Sequence, residues 1–409
     1  MRTTHRSVSK VLAVLAVIGV ALAAPAVATA DDAPAVGPTV AGEVAPIDVK
    51  AGYSHQNSEL RVVSHPGASI IFVHLVDLTL APGVELVISD ADKTTSHPYP
   101  GSGFSTDATP GKWAFGVPGD TALLELRVAD PALARDLAGS GFQVDAYAWG
   151  YPVGGLESVC GADDRDDVEC YAASHPTEYE RSHAVARHYR IESPYVYLCT
   201  AWRVDPGDKM FTNEHCIEQA SWLAASQFHF NYERAECHGT TNKPVTTVTG
   251  NTLLLNNPTF DFALFTINNP AAVEQFGYLE LDPRTPVLHE EIYMAGHPDG
   301  NPKIFALESD MNTSGYCEID AVGHPLIGPT DSGYYCDTSG GQSGSPVLAR
   351  STHKVIAIHH ASYATCTGNQ MNAGVRMQWI WNYVSPYFSG IFEDGFETGD
   401  MSAWSVTVP

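Results

Sequence analysis

Short apolar runs separated by glycine- and proline-rich turns dominate residues 50–150 and predict β-strands rather than helices. Turns are marked by Ala81-Pro82-Gly83 and by Pro118-Gly119-Asp120. The runs are rich in apolar and β-branched side chains, and they cover residues 69–77, 84–89, 113–117 and 121–128. We expect the last two runs to pair around their turn. Strands at this spacing predict a small β-sandwich over residues 50–157, preceded by an Ala-, Pro- and Val-rich linker over residues 31–49.

Residues 158–388 carry the same kind of pattern over a longer stretch. Frequent short strands over this length suit two six-stranded antiparallel β-barrels, with a site in the cleft between them. Residues 377–384 predict a C-terminal helix, which Pro386 ends. Residues 389–409 form a short tail, which resembles those that end many secreted bacterial proteins. A disordered terminus is the alternative interpretation. The chain is therefore expected to be all-β, with a helix near its C-terminus.

The first thirty residues have the pattern of a signal peptide. Arg2, Arg6 and Lys10 precede an apolar run over residues 11–24, and Ala28-Thr29-Ala30 offers a small-residue cleavage site. A membrane anchor is the alternative, but the apolar run is too short to span a bilayer. We therefore expect a secreted protein, extracellular or periplasmic, in an oxidising compartment where cysteines can pair.

The charge balance excludes some partners. The net charge is −25, from 22 basic and 47 acidic residues, whereas nucleic acids and anionic membranes need basic surfaces. We expect no nucleic-acid partner, no membrane contact after signal removal, and a monomer. The acidic run over residues 163–167 could bind calcium, but a solvated acidic loop is the simpler interpretation. His175 and His183 do not have the helical spacing of a zinc peptidase, so we expect no metal and no cofactor.

A glycine-rich turn, Gly341-Gln342-Ser343-Gly344-Ser345-Pro346, holds a candidate nucleophile. A serine hydroxyl becomes reactive when a base takes its proton and backbone N–H groups stabilise the resulting oxyanion. Ser343 is the candidate nucleophile, and the N–H groups of Gly341 and Ser343 are the candidate oxyanion hole. An ordinary Gly/Ser loop is the alternative, so the interpretation depends on partners elsewhere in the chain.

Two such partners precede the turn. His215 lies directly before Cys216, and a bridge from Cys216 to Cys199 would fix the histidine backbone. Asp261 lies in an apolar run, where a carboxylate is costly to bury unless a group such as a histidine Nδ1–H hydrogen-bonds to it. Each residue alone is more often structural. Together, in the order His215, Asp261 and Ser343, they predict a catalytic triad.

The three blocks around these residues resemble those of the chymotrypsin-like serine peptidases. The likeness is closest to the bacterial lysyl and glutamyl endopeptidases and covers roughly residues 160–383. Weaker secondary blocks add to it. They are residues 228–232 with Cys237, Gly296-His297-Pro298 with Pro302-Lys303, residues 355–360, and the early pair Cys160 and Cys170. The resemblance implies a chymotrypsin-like fold of two barrels, with His215 and Asp261 on the first and Ser343 on the second.

The same resemblance implies a disulfide pattern. All eight cysteines lie between residues 160 and 366. The lysyl endopeptidases imply three bridges: Cys160–Cys366, Cys170–Cys237 and Cys199–Cys216. Cys317 and Cys336 are then left to form a fourth.

The resemblance is divided on substrate preference. Asp337 stands where trypsin-like enzymes keep the carboxylate that binds Lys or Arg. Thr338 and His359, however, stand where glutamyl endopeptidases bind an acidic side chain. Met371 stands where lysyl enzymes use an aspartate. An acidic preference is slightly favoured, and a basic preference stays open.

The sequence as a whole predicts a secreted serine endopeptidase that acts on protein or peptide substrates through an acyl-enzyme. Gln342 stands where trypsin-type enzymes carry the aspartate that receives a new N-terminal ammonium. Activation of a zymogen is therefore expected to come from removal of residues 31–157. A catalytically inactive binding or adhesion protein is the alternative. An esterase is disfavoured because the turn lacks the Gly-x-Ser-x-Gly pattern.

Overall fold

The computed structural model describes residues 34–52, 60–101, 111–132, 139–152, 157–363 and 366–388. The predicted signal peptide and C-terminal tail lie outside the described residues. No helix within these ranges is long and apolar enough to cross a membrane.

The N-terminal part of the chain folds as a β-sandwich. Its strands are β1 (Ala35–Val36), β2 (Thr39–Gly52), β3 (Leu60–Ser64), β4 (Ile70–Thr79), β5 (Val84–Asp90), β6 (Ser96–Pro100), β7 (Lys112–Trp113), β8 (Val117–Pro118), β9 (Thr121–Val128) and β10 (Gly141–Gly150). One sheet has the order β3-β9-β5-β6, and the other places β10 between β2 and β4. Leu86 and Leu124 of the first sheet pack against Val73 and Phe142 of the second, which confirms the predicted sandwich.

Two local expectations for this module differ from the structure. The expected linker over residues 31–49 contributes most of β2, the fourteen-residue strand Thr39–Gly52, because it finds pairing partners on both sides. The run at 113–117 does not pair with β9. Instead Val117 pairs with Ile71 of β4, while β9 lies in the opposite sheet. The turn at Gly119 therefore carries the chain from one sheet to the other.

Residues 157–388 form the second unit. Its strands are β11 (Glu157–Ser158), β12 (Asp166–Asp167), β13 (Val185–Glu192), β14 (Tyr195–Arg203), β15 (Lys209–Thr212), β16 (Ser226–Phe230), β17 (Thr246–Asn257), β18 (Phe262–Ile267), β19 (Ile292–Gly296), β20 (Ile304–Ala306), β21 (Asp331–Tyr334), β22 (Thr338–Ser339), β23 (Pro346–Ala349), β24 (Lys354–Ser362) and β25 (Asn372–Arg376). Its helices are α1 (Pro176–Ser182), α2 (Ala220–Ala224) and α3 (Met377–Val384).

These strands form two antiparallel barrels. The first has the order β13-β16-β17-β18-β15-β14 and is closed by pairing of β14 with β13. The second contains β20-β19-β23-β24-β25-β21, and single bridges at Glu291–Glu318 and Ala321–Gly333 complete its circuit. Trp202 and Phe262 of the first barrel pack against Leu348 and Ile358 of the second. The expected chymotrypsin-like architecture of two barrels is confirmed.

Helix α3 begins and ends where the sequence predicted. Met377, Ile380 and Val384 are buried, whereas the other side chains of the helix are less so. This spacing places one apolar face of the helix on the barrel core. Pro386 follows within two residues and cannot continue the helix.

The sandwich is joined to the first barrel by a continuous sheet. Strand β2 pairs with β14, so that Thr39 opposes Leu198 and Glu43 opposes Tyr195. Behind this seam Phe72 of the module lies in one buried cluster with Val196. The contact is polar as well as apolar, because Gln227 exchanges hydrogen bonds with the backbone of Ala114 and Gly116. Gln227 belongs to the first barrel, whereas Ala114 and Gly116 belong to the sandwich.

Three of the expected disulfides are present: Cys160–Cys366, Cys170–Cys237 and Cys199–Cys216. The fourth differs from expectation, because Cys317 and Cys336 are buried and unbonded. The Sγ of Cys317 donates a hydrogen bond to the carbonyl of Glu308, 3.5 Å away. Both cysteines lie in the apolar core of the second barrel, where a thiol packs as a small hydrophobic group.

Candidate active site

A histidine and an aspartate of the first barrel meet at the cleft. Asp261 directly precedes β18 and has a φ of 41°. Its Oδ2 lies 2.7 Å from Nδ1 of His215, and its Oδ1 accepts the backbone N–H of His215 at 3.0 Å. The Cys199–Cys216 bridge ties the backbone next to His215 to strand β14. The carboxylate thus orients the ring and leaves Nε2 as the nitrogen for chemistry, buried and without a hydrogen-bond partner among the described residues.

The turn that carries Ser343 is held by both barrels. Thr200 of β14 donates its N–H to the carbonyl of Ser343 at 2.8 Å, and its Oγ1 donates to the carbonyl of Gly341 at 2.9 Å. From the second barrel, the backbone carbonyl of His359 accepts the N–H of Gly344 at 2.9 Å. The turn that carries the serine is therefore held at the boundary between the barrels, next to Asn213, whose backbone N would lie 3.3 Å from a Cβ on Gly344.

Glycine is required at two positions of this turn. Gly341 and Gly344 have φ values of 98° and 90°, which L-amino acids rarely adopt. A Cβ at Gly344 would lie 2.2 Å from the carbonyl oxygen of Thr200, and one at Gly341 would lie 2.5 Å from Leu198. Within the described part of the chain the N–H groups of Gly341 and Ser343 donate no hydrogen bond, whereas that of Gln342 is bonded to Ser339. Both candidate oxyanion donors are therefore free.

A second histidine, which the sequence did not single out, touches the same aspartate. Nδ1 of His360 lies 3.2 Å from Oδ2 of Asp261, and its Nε2 lies 2.6 Å from Oδ1 of Asp331. His360 therefore bridges a carboxylate of the first barrel and one of the second. The sequence signal for His360 is the dipeptide His359-His360, of which only His359 is predicted above to be a site residue. Nothing in the sequence marked Asp331.

The electrostatics of this cluster favour a charged His360. Burial alone would lower the pKa of His360, but hydrogen bonds to Asp261 and Asp331 raise it to about 9. Burial would likewise raise the pKa of Asp261, but the charges and hydrogen bonds of His215 and His360 hold it well below its usual range. The site thus contains an ionised aspartate between two imidazoles.

The three specificity candidates differ in their positions and surroundings: Asp337 directly precedes β22, Thr338 lies on β22, and His359 lies on β24. The Asp337 carboxylate accepts the N–H groups of Cys160 and Asp164, at 2.6 and 2.8 Å. The Oγ1 of Thr338 is buried and has no hydrogen-bond partner among the described residues. Nδ1 of His359 lies 2.8 Å from the hydroxyl of Tyr334, and burial lowers the pKa of His359 to about 3. His359 is therefore neutral in the free protein at ordinary pH.

Two further positions bear on the sequence expectations. Met371, which stands where the lysyl enzymes use an aspartate, is buried. Gln342 is fully buried, and its Oε1 accepts the N–H of Ser339 at 2.9 Å. The turn before Ser343 is thus held by a neutral amide and needs no ammonium group. Burial also raises the pKa of Asp337 to about 6, although two backbone N–H groups oppose the change.

One cavity of about 970 Å³ lies elsewhere, between the sandwich and the first barrel. Tyr99, Trp113, Phe115 and Gln227 are among its lining residues. None of the candidate site residues is among the residues that line it.

Comparison with known proteins agrees with this geometry. Residues 162–375 match the family described as the lysyl endopeptidase C-terminal domain. Secreted RxLR effector protein 73 of Plasmopara viticola is 33% identical over 235 residues, which are 54% of this chain and 56% of that protein. The chain thus spans little more than half the length of that relative.

Two solved structures are similar in part. A Glu endopeptidase in complex with MPD is 17% identical, with a TM-score of 0.39, and the match covers 57% of this chain and 99% of the other. A serine endoprotease from Yersinia pestis is 14% identical, with a TM-score of 0.35, and the match covers 53% of this chain and 65% of the other. The family match is the stronger finding. It extends over more than half of the chain and includes His215, Asp261 and Ser343, and the chain therefore belongs to the lysyl endopeptidase C-terminal domain family.

Proposed function

We propose that this protein is a serine endopeptidase that hydrolyses peptide bonds through His215, Asp261 and Ser343. The observation that carries the proposal is the 2.7 Å contact of Asp261 with Nδ1 of His215, which leaves Nε2 without a hydrogen-bond partner among the described residues. The Ser343 turn adjoins Asn213, two residues before His215, which supports the same assignment. A general base needs a ring nitrogen that is not already hydrogen-bonded, and Nε2 of His215 meets that requirement. Family membership supports the same class of reaction.

In the proposed mechanism Ser343 Oγ attacks the scissile carbonyl while Nε2 of His215 takes its proton. The N–H groups of Gly341 and Ser343 stabilise the oxyanion. The imidazolium then donates the proton to the leaving amine, which departs and leaves an acyl-enzyme. Water, deprotonated by His215, hydrolyses the ester and returns Ser343 to its starting state. Asp261 stays ionised throughout and stabilises the imidazolium.

His360 acts in this scheme as a positioning residue. It touches Asp261 and Asp331 but no group that reacts. A cation at His360 offsets the charge of Asp331 and fixes the carboxylate of Asp261 against rotation. The base is thereby held in one orientation by contacts from both barrels.

Secretion completes the proposal. Three disulfides stabilise the catalytic region, and such bridges persist in oxidising compartments. The signal-peptide pattern of the first thirty residues points in the same direction.

The test is covalent labelling with a fluorophosphonate, together with peptide hydrolysis. Labelling followed to completion should modify Ser343, and Ser343→Ala should lose hydrolysis by roughly a thousandfold or more. Ser345→Ala is the matched control, because Ser345 lies in the same turn and its Oγ is buried away from solvent. Equal loss in both variants, or labelling that survives Ser343→Ala, contradicts the assignment and favours the binding-protein alternative.

For the substrate, we favour a glutamate before the scissile bond over a lysine. The unpaired hydroxyl of Thr338 can donate to an acidic side chain, whereas both oxygens of Asp337 are already used by backbone N–H groups. Burial lowers the pKa of His359 to about 3, so His359 carries no charge in the free protein, and we expect a preference that does not change as pH passes through the ordinary range of histidine.

Paired peptides that differ only in Glu or Lys at that position decide the preference. Thr338→Val, which keeps shape but loses the hydroxyl, should lower kcat/KM for the Glu peptide by about tenfold. The Lys peptide serves as the internal control. A better rate for Lys, abolished by Asp337→Ser, would establish the basic preference instead.

A further inference from the structure

The first described residues of the chain form a short strap. In strand β1, Ala35 pairs with Ser362 and Val36 pairs with Ala361, in antiparallel register along the end of β24. After Gly37 and Pro38 the chain enters β2, where Thr39 pairs with Leu198 and Val40 with Tyr197 of β14. Residues 35–40, called the strap below, therefore bind one strand edge of each barrel.

Both edges flank the candidate nucleophile. On β24, Ala361 directly follows His360, which touches Asp261, and His359 accepts the N–H of Gly344 beside Ser343. On β14, Leu198 lies two residues before Thr200, which donates to the carbonyl of Ser343. The strap thus reaches from one side of the Ser343 turn to the other.

Gly37 and Pro38 span the interval between these edges. Three Cα–Cα steps separate Val36 from Thr39, so the span is at most about 11 Å. At the end of this span Thr39 contacts the turn itself, since a Cβ on Gly340 would lie 2.6 Å from its Oγ1. An extended chain that pairs with both edges must cross the face of the turn at Gly37-Pro38.

We infer that the strap occupies the substrate cleft as an extended pseudo-substrate and holds the uncleaved chain inactive. This inference rests on the proposed function. Strand addition at exposed edges is a general way to bind an extended peptide, because the backbone supplies the hydrogen bonds. The tether to the sandwich keeps the strap at high effective concentration, so a separate peptide substrate competes poorly.

The composition of the strap suits occupancy without turnover. Gly37 has no side chain to fill a specificity pocket, and its φ of 135° is one that L-amino acids rarely adopt. Pro38 has no backbone N–H to donate, and its ring fixes φ. These two residues therefore offer the cleft little side-chain contact.

The strap is held firmly on one side only. Strand β2 continues into the sandwich and is reinforced by the N–H of Val44, which donates to the carbonyl of Pro194 at 2.9 Å. Strand β1 has two residues, and Val36 is 55% exposed. Segments with few buried contacts open at low free energy, so release should begin at β1 and leave the sandwich folded.

The first arm of the test measures placement and needs no activity. Val36→Cys with Ala361→Cys, in a Ser343→Ala background, should form a disulfide in the full chain, because these residues are directly opposite. The control pair is Val36→Cys with Ser351→Cys, since Ser351 is exposed and does not pair with β1. Mass spectrometry of the unreduced digest reads the cross-link.

The second arm measures inhibition in the full chain with native cysteines. Gly37→Val forces a β-branched residue into a positive φ and should displace the strap. Its rate of fluorophosphonate labelling at Ser343 should rise by about tenfold or more, the order of gain expected when an intramolecular competitor is removed. Gly119→Val is the matched control, because Gly119 also has a positive φ and open space but lies in the sandwich turn.

The outcomes separate the strap from the proposed function. A cross-link in the matched pair together with faster labelling in Gly37→Val supports the inference. No cross-link above the control pair overturns it, whatever the activity. A cross-link with equal labelling of wild type, Gly37→Val and Gly119→Val shows that the strap does not inhibit. A cross-link with no labelling of any variant contradicts the serine-peptidase proposal, not the placement.

Discussion

The sandwich and the two barrels are built from the same antiparallel ladders, but they use strand ends differently. In the sandwich the buried carboxylate of Asp90, at the end of β5, accepts local hydrogen bonds from Thr94 and Thr95. In the barrels, Asp261, directly before β18, is hydrogen-bonded to His215 and His360, which lie 46 and 99 positions away along the chain. A strand end that closes its own turn is structural. A strand end that meets another barrel can build a site.

Buried histidines show the same contrast. In the sandwich, burial lowers the pKa of His97, although a backbone hydrogen bond to Gly116 opposes the shift. In the cleft, two carboxylates outweigh burial and raise the pKa of His360 to about 9. Protonation in the folded state is therefore disfavoured at His97 and favoured at His360. Only His360 is hydrogen-bonded to carboxylates, whereas Asp90 acts on His97 by its charge alone.

The largest effect is expected from the aspartate of the cleft. Asp261→Asn should lower kcat/KM by roughly ten thousandfold, because the amide favours the wrong tautomer of His215. The matched change in the sandwich, Asp90→Asn, should leave kcat/KM within about twofold, since the local hydrogen bonds of a sandwich turn do not reach the reacting groups. Steady-state hydrolysis by the two folded variants checks this. A comparable loss in both would show that Asp261 is only structural.

The next effect concerns pH and stability. The folded-state pKa of His360 lies above its ordinary value, so its stabilisation is complete below about pH 6.5 and is lost as pH rises through about 9. Wild type should lose on the order of 3 kcal/mol over that window relative to His360→Gln. Guanidinium unfolding at pH 6 and pH 9.5 measures the difference. His324 and His359 stay neutral in this window because burial lowers the pKa of each.

A readout beyond stability separates positioning from packing. If His360 positions the base through Asp261, kcat/KM of wild type should fall as His360 loses its proton near pH 9. His360→Gln should lack that limb. His97→Gln is the control from the sandwich, and it should instead reduce a loss of stability at low pH, since the folded state of wild type resists protonation of His97. An unchanged alkaline limb in His360→Gln would remove its positioning role.

The smallest effect tests the contact between the two units. Gln227→Ala leaves the N–H of Gly116 and the carbonyl of Ala114 buried without their partner, which should cost about 1–3 kcal/mol. Gln275→Ala, on an exposed side chain, should change stability by less than about 0.5 kcal/mol. Denaturation midpoints compare them. Equal midpoints would mean that the sandwich and the barrel are held together by apolar contact alone.

Local pattern predicted much of this molecule. Periodicity and flanking residues placed helix α3 at its observed bounds, and three of the four predicted strand runs lie within a few residues of β4, β5 and β9. The three motif blocks placed His215, Asp261 and Ser343 in one candidate site, and the structure brings the first two into contact and fixes the turn of the third. These are signals that a short stretch of chain carries by itself, because turn chemistry and a reactive side chain both depend on near neighbours.

Other expectations failed where the answer depends on distant partners. The expected linker became strand β2 because β10 and β14 lie on either side of it. Strand β8 paired with β4 rather than β9, since the turn at Gly119 crosses between sheets. Cys317 and Cys336 were expected to pair by elimination; their side chains lie within hydrogen-bond reach of each other, but no disulfide joins them.

By itself, then, the sequence determined strands β4, β5 and β9, where the last helix lies, which residues could form a triad, and which family the chain resembles. Only the tertiary structure decided that residues 39–52 are a strand, which strands pair, that His360 and Asp331 join the site, and that residues 35–40 pair with both barrels. The physical reason is range. Propensity and turn geometry act between residues a few positions apart, whereas ladder pairing and charge contacts join groups that are close only after the chain has folded.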